Sequence, residues 1–431
     1  ENAQIIFGAK RLLESAKKIA AKSNDDSAKN VGESPKTFIE EYRAEEIFSY
    51  LSENPQFERA AVLFSGDTGF FSGANAFFAK RSGEWEIRTF PGISSAVYFA
   101  SKLQKSWQNW KFLSLHGAKC NTIEQIRKNL ACFFILSGAG DVRKIGEKIQ
   151  KAQKNGILGS VKCYIGSNFS YDVEKIIQTS VEEMADFTDS GRSEACSGIS
   201  GGHEPAGKSL SQKDLFVLLI ENENAKFAAE TPFLRDEDFV RSEKIPMTKK
   251  EIRQASICTL ALSNSSILYD IGSGTGSVTV EAARIAGEGE VLAIEKNEAA
   301  FNLTQKNVEK FCLENVTCLK GEAAEILQNT DLPSPTHVFI GGSGGKLSEI
   351  VRLALQKNPR VRIVANFVSL EGLCEMQNLL KSLESEKRIE NIEITQISAS
   401  RAEKIGNFHL MKAANPVFVA AFQGKRSECV Q

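Results

Sequence analysis

An α/β fold in two parts, the later one a doubly wound sheet, is expected from three features of the chain. Short apolar runs alternate with helix-length amphipathic stretches from one end to the other. At 431 residues the chain is too long for one ordinary domain, because about 150 residues per domain allows two or three. Finally, Leu268-Tyr269-Asp270-Ile271 opens into Gly272-Ser273-Gly274-Thr275-Gly276 and then into a helix, the strand-turn-helix of a nucleotide-type cofactor cradle.

Composition narrows the function. Hydrophobic residues make up 42% of the chain, enough for real cores, and 53 Lys+Arg against 54 Asp+Glu leave a net charge of −1. That balance does not give the basic stripe of a nucleic-acid binder, nor is there a basic aromatic face or an Asn-Pro-Pro-Tyr-type base-flipping motif, so no nucleic-acid partner is expected. Nine cysteines at 120, 132, 163, 196, 258, 312, 318, 374 and 429 form no C-x-x-C pair. They read as reduced cytosolic thiols that mostly fill cores, with no metal site and no disulfide frame. There is no signal peptide and no apolar run reaching the ~18 residues of a membrane span, so a cytoplasmic protein without a membrane partner is expected.

In the first half, strands are expected at 5–7, 60–64, 112–115, 133–136, 162–165 and 215–220, with helices at 9–21 and 44–52. Residues 189–211 are Gly/Ser-rich without hydrophobic period and read as a surface loop. The expected organisation is a first domain at 1–222, a charged, Pro-punctuated linker at 223–246 and a second domain at 247–425. The first half has its own glycine loop: strand 62–64 runs into Ser65-Gly66-Asp67-Thr68-Gly69, and Gly73 follows. Small hydroxyls, an acid and glycines after a strand suit a polar ligand, and a tight turn before a helix is the alternative. Downstream, Pro91-Gly92 shapes a turn and Ser94-Ser95 can cap a helix through Tyr98 and Leu103, which would by itself explain the serines.

In the second half, Gly272, Gly274 and Gly276 let a ligand lie against bare backbone, and a helix at 277–285 turns its free N–H groups toward the turn. A dinucleotide fingerprint wants its third glycine where Ser277 stands, so the spacing suits the S-adenosylmethionine (SAM) loop of a methyltransferase better. Asp270 at the first strand end can meet the amino end of SAM. The strand at 290–294 delivers Glu295 for ribose hydroxyls. The strand at 316–319 leads to Gly321-Glu322-Ala323, where such folds contact adenine, and the strand at 337–340 ends in Gly341-Gly342-Ser343-Gly344-Gly345. Singly each acid reads as well as a cap or a solvated charge. Four consecutive strand ends with such residues favour a cofactor crevice. A strand at 361–365 precedes Asn366, and a late strand at 417–422 suits a final antiparallel pairing.

Two sets of motifs carry a family resemblance. Ser-Gly-Asp-Thr-Gly-Phe-Phe-Ser-Gly-Ala, Phe-Pro-Gly-Ile-Ser-Ser and Ser114-Leu115-His116-Gly117 resemble the tetrapyrrole methylase acting on C5 in cobalamin synthesis. Ile245-Pro246-Met247-Thr248-Lys249, Asp-Ile-Gly-Ser-Gly-Thr-Gly, Phe339-Ile340-Gly341-Gly342-Ser343-Gly344-Gly345 and Ala365-Asn366 resemble its partner, the C15-methylating and decarboxylating enzyme. In this order they cover nearly the whole chain and resemble the fused precorrin-6Y (cobalt-precorrin) C5,C15-methyltransferases. The resemblance implies a two-subdomain α/β tetrapyrrole-methylase fold followed by a Rossmann-like class I methyltransferase. Tetrapyrrole methylases normally begin with a strand and a Gly-x-Gly-Pro-Gly loop, whereas Glu1-Asn2-Ala3-Gln4-Ile5 resembles the segment after it. The first fold is therefore expected to lack its first strand.

The resemblance also implies SAM as cofactor, a precorrin or cobalt-precorrin as substrate and an oligomer through the C-terminal domain. By position, Thr248, Gly272, Ser273, Gly274, Thr275, Gly276, Glu295 and Ala323 would bind SAM, with Asp270 and Glu322 beside them. Gly66, Asp67, Thr68, Gly69, Ser94 and Ser95 would do so in the first half. Thr248 reads equally as the N-cap of a helix at 249–262, and Lys249 as a partner of substrate carboxylates or a solvated lysine. Asn366 would contact substrate or cap the next helix, and His116 would carry a proton or be structural. The bridging carbons of a corrin precursor are electron-rich, so placement and shielding matter more than a strong base, and no Ser-His-Asp or Cys-His set is visible. The open alternatives are a methyltransferase acting on another small molecule and a non-catalytic first half attached to one working enzyme.

Overall fold

A computed structural model describes residues 3–26, 37–80, 85–115, 120–187, 216–225 and 233–425. His116 and the Gly/Ser-rich stretch 189–211 lie outside the described residues. The chain forms two compact units, Glu1–Asn109 with Asn168–Glu174, and Trp110–Ser167 with Lys175–Gln431.

In the first unit the elements run β1 (Ile5–Gly8), α1 (Lys10–Asp26), β2 (Thr37–Ile39), α2 (Ala44–Glu53), β3 (Ala60–Leu63), α3 (Ala74–Ala79) and α4 (Ser95–Leu103). The strands form a parallel sheet in the order β2-β1-β3, with Ile5 opposite Thr37 on one side and Ala60 on the other. α2 buries Ala44, Ile47 and Leu51, one stripe at helical spacing, in a core with Ile5, Phe7 and Phe77. α4 begins where the sequence expects a cap: the Ser94 hydroxyl accepts the Val97 N–H at 3.2 Å.

The second unit contains two sheets. The first comprises β4 (Trp110–Ser114), α5 (Thr122–Lys128), β5 (Ala131–Leu136), α6 (Ala139–Lys154), β6 (Lys162–Ser167), β7 (Lys175–Thr179), α7 (Val181–Ala185) and β8 (Phe216–Glu221). Its order is β4-β5-β8-β6-β7, parallel only between β4 and β5. α6 lays Val142, Ile145, Ile149 and Ala152 against it, three and four residues apart.

The elements of the other sheet are α8 (Lys250–Leu260), β9 (Ile267–Ile271), α9 (Ser277–Ile285), β10 (Glu290–Glu295), α10 (Glu298–Lys310), β11 (Val316–Lys320), α11 (Ala323–Leu327), β12 (His337–Ile340), α12 (Leu347–Lys357), β13 (Arg362–Phe367), α13 (Leu370–Ser385), β14 (Ile389–Ile397), β15 (Ser400–Ile405), β16 (Phe408–Ala413) and β17 (Val417–Gly424). Seven strands line up as β11-β10-β9-β12-β13-β17-β14, parallel through β13, with β17 antiparallel to both neighbours. Strands flanked on both faces must be apolar on both, which is why β9, β10 and β12 read as nearly unbroken apolar runs. Chain order reverses between β10 and β12 on either side of β9, and the crevice at such a switch point is where open α/β sheets hold ligands. β15 and β16 form a separate hairpin across the two-residue turn Gly406-Asn407.

Charged groups join the two sheets. Arg127 and Lys128 of α5 and Arg284 of α9 surround the Glu124 carboxylate at 2.6, 3.3 and 3.6 Å, and its side chain is only 5% exposed. Lys148 of α6 meets Glu314 at 2.7 Å, and the Lys128 ammonium donates to the Arg284 carbonyl at 2.6 Å. Among the described residues no helix is long and apolar enough to cross a membrane.

Candidate active site

At the carboxyl ends of β9, β10, β11 and β12 lies a cavity of about 960 Å³. The loop after β9 forms its floor. Gly272 has φ +70°, and a Cβ there would sit 2.7 Å from the Gly342 carbonyl oxygen, so this loop and the glycine segment after β12 pack backbone to backbone. Gly272, Ser273, Gly274 and Thr275 line the cavity. Gly276 lies behind them as the N-cap of α9, with φ +74° and close against Thr304.

Glu295 ends β10 and faces the same space, its carboxylate accepting the Gly274 N–H at 2.9 Å and the Asn297 N–H at 2.8 Å. Glu322 and Ala323 follow β11 into the wall, and Lys296 stands 3.5 Å from Glu322. Thr248 and Lys249 close another side. Strand-end carboxylates beside bare backbone and the start of a nine-residue helix form a cradle that a side chain would fill, and they suit a ligand bearing an amine, hydroxyls and a flat base.

Two expected cofactor residues, Gly276 and Asp270, are not in the cavity wall, and two alternatives that the sequence left open are decided. Asp270 is not in the cavity wall: its side chain is buried, one carboxylate oxygen accepts the Thr279 hydroxyl, and the other, Oδ1, has no partner. Asp270 is still a paired residue of β9, which runs to Ile271 before the loop opens, and its side chain turns into the interior. Thr248 is not a helix cap, because Lys249 occupies that position without a side-chain cap bond. Nor does Asn366 cap the next helix. Its amide exchanges hydrogen bonds with Ser256 at 2.9 and 3.1 Å, it lines the cavity, and Ser369 caps α13.

Sequence reasoning missed Arg253. Fully buried, it donates to Leu234 O at 2.6 Å, Thr248 O at 2.8 Å, Glu281 at 3.0 Å and Asp236 at 3.1 Å. It thereby ties the segment carrying Thr248 to α9, the helix that rises from the glycine loop. It also missed Arg401 and Lys412 of the hairpin, both in the cavity wall. The available signal was the turn pair Gly406-Asn407 between two short runs.

In the first unit, Gly66 has φ +72°, and the Asp67 carboxylate accepts the Gly69 N–H at 2.7 Å. A Cβ on Gly92 would fall 2.2 Å from the Gly66 carbonyl oxygen, so the loop holding Gly66, Asp67, Thr68 and Gly69 touches the turn that leads to Ser94 and Ser95. The loop after β3 thus lies against the start of α4, where a Cβ on Gly66 would be 3.8 Å from Ser94 Cα, Ser94 is the N-cap and Ser95 is the first helical residue.

Comparison with known proteins separates the chain's two ends. Residues 1–185 match the family described as tetrapyrrole (corrin/porphyrin) methylases, and residues 239–423 match the one described as precorrin methyltransferase domain. A probable cobalt-precorrin-6B C(15)-methyltransferase (decarboxylating) of Pyrobaculum calidifontis is 39% identical over 191 residues, which are 44% of this chain and 94% of the relative. This chain belongs to the precorrin methyltransferase family. The cobalt-precorrin-6B C(15)-methyltransferase (decarboxylating) of Salmonella typhimurium is 35% identical over 191 residues, 44% of this chain and 95% of that relative. A crystal structure of precorrin-6y C5,15-methyltransferase from Geobacter metallireducens matches 44% of this chain and 96% of its own at 30% identity, with a TM-score of 0.40. As a precorrin methyltransferase, the chain is an enzyme that uses S-adenosylmethionine.

Proposed function

We propose that the chain methylates a precorrin or cobalt-precorrin macrocycle at C5 and C15 and removes the ring C acetate as carbon dioxide, in cobalamin biosynthesis. The work would divide between residues 1–222 for C5 and 247–425 for C15 and decarboxylation, with 223–246 between them. The observation that carries the reading is the cavity at the switch point of β9, walled by Gly272, Ser273, Gly274, Thr275, Glu295, Glu322 and Ala323, in a chain of this family.

In that cavity Gly272, Ser273, Gly274 and Thr275 would hold the amino-acid part of SAM against bare backbone, Glu295 the ribose hydroxyls and Ala323 the adenine. Gly276 shapes the turn, and Asp270 supports it from behind. Bound SAM supplies an electrophilic methyl group. Thr248 would join the cofactor side of the cavity, Asn366 would line the acceptor's space and Lys249 would meet its carboxylates, so the reacting carbon is placed in a shielded pocket rather than deprotonated by a strong base. In the first unit Gly66, Asp67, Thr68, Gly69, Ser94 and Ser95 would form the second cofactor site. His116 is our candidate proton carrier there. The partner is the macrocycle rather than nucleic acid or a membrane, the enzyme works in the cytoplasm, and copies assemble through residues 247–425.

Mass spectrometry of the product tests this directly. Two added methyl groups and one lost carbon dioxide are expected; one methyl with decarboxylation would remove the C5 assignment, and no change would remove the reading as a whole. Replacing Glu295 with Ala is expected to weaken cofactor binding in the second unit by roughly tenfold or more and to abolish C15 methylation while C5 methylation continues. Calorimetry of SAM binding and product masses check both parts, and unchanged C15 methylation would take the ribose role away from Glu295.

A further inference from the structure

The β15–β16 hairpin carries two cations that the glycine-loop chemistry leaves unused. Arg401 and Lys412 are direct cross-strand partners, and both line the cavity. Like charges directly opposite one another on a two-stranded ribbon repel, so the placement costs the hairpin stability unless anions offset it. Here protein carboxylates do so. Arg401 contacts Glu251 at 2.6 Å and Asp236 at 3.1 Å, and Lys412 contacts Glu403 at 3.1 Å.

These contacts can be exchanged. Arg401 is 48% exposed and Glu251 42%, Lys412 is 70% exposed and Glu403 53%, and pairs so open to water contribute little. Asp236 is buried, but its other oxygen is held by Arg253 at 3.1 Å, so it keeps a cationic partner when Arg401 turns away. A guanidinium with a planar fork and a mobile ammonium, side by side in one cavity wall, match an acceptor that presents several carboxylates.

We propose that the hairpin reads the methyl acceptor, with Arg401 and Lys412 binding two peripheral carboxylates of a polycarboxylate tetrapyrrole in exchange for Glu251 and Glu403. This rests on the corrinoid reading of the cavity and adds the residues that determine acceptor specificity. They are positioning residues that orient the ring and take no part in the transfer itself.

Hydrogen exchange of the full chain tests the assignment locally, with uroporphyrin III, an octacarboxylate porphyrin, as probe and S-adenosylhomocysteine present. The porphyrin is expected to slow exchange across Ser400–Ile405 and Phe408–Ala413, and Arg401→Gln with Lys412→Gln to abolish that protection while S-adenosylhomocysteine affinity stays within about twofold. With a precorrin substrate, each single variant should raise the acceptor KM about tenfold with kcat largely kept, and Arg401→Lys should recover only part of the loss. No protection of the hairpin in the wild type, or protection that survives the double substitution, overturns the proposal. Methyl transfer with an unchanged KM in both single variants overturns it while leaving the corrinoid reading in place. Hairpin protection by the porphyrin without methyl transfer to any precorrin supports the hairpin's role and overturns the reading beneath it.

Discussion

Burial pushes the Asp270 carboxyl up from 3.8 to about 7; the Thr279 hydroxyl opposes the shift and the charge of Glu295 adds to it. A group whose folded pKa is raised costs nothing while protonated in both states, below about pH 4. Its penalty grows as pH rises toward 7 and is constant beyond. Asp270→Asn should therefore gain stability over the parent between pH 4 and 8, by roughly 4 kcal/mol at most. Urea unfolding of the cofactor-free protein across that range checks the prediction, and parallel curves for the two proteins would contradict it. The residue was legible as an acid at a strand end. Its inward orientation was not, because which face of β9 it occupies depends on the sheet around it.

At the scale of elements, the cofactor cradle is held open by close backbone contact. Gly272→Ala would strain a left-handed residue and drive a Cβ toward the Gly342 carbonyl, at a cost of about 1–3 kcal/mol from the conformation alone. The expected result is SAM affinity in the second unit reduced more than about tenfold, with the far-ultraviolet circular dichroism unchanged; wild-type affinity would show that the loop adapts. The helix expected at 277–285 and the strand at 337–340 coincide with α9 and β12, because a glycine turn and a doubly buried strand leave local marks in sequence. Arg253 leaves none. Its four partners lie at 234, 236, 248 and 281, and no periodicity brings them together. The hairpin was overlooked for a related reason: its exposed strands mix charge with apolar residues and lack the apolar run of a core strand.

Over the larger unit, the ionic joint around Glu124 links the sheet of β4–β8 to the sheet that carries the cavity. Burial alone would raise the Glu124 carboxyl, but Arg127, Arg284 and Lys128 hold it below its usual range. Its contribution is thus present above the ordinary carboxylate pKa and lost as pH falls through the lower folded value. Glu124→Gln removes the anion and leaves the cations uncompensated, a change expected to cost about 3–5 kcal/mol. Chemical denaturation at neutral pH checks this, and a loss under about 1 kcal/mol would mean that water reaches the joint. The family matches cover residues 1–185 and 239–423 separately, yet charge joins residues of the two matches. Heat should therefore find one body where homology finds two: a calorimeter ought to record the sheets of β4–β8 and β9–β17 melting in a single cooperative transition.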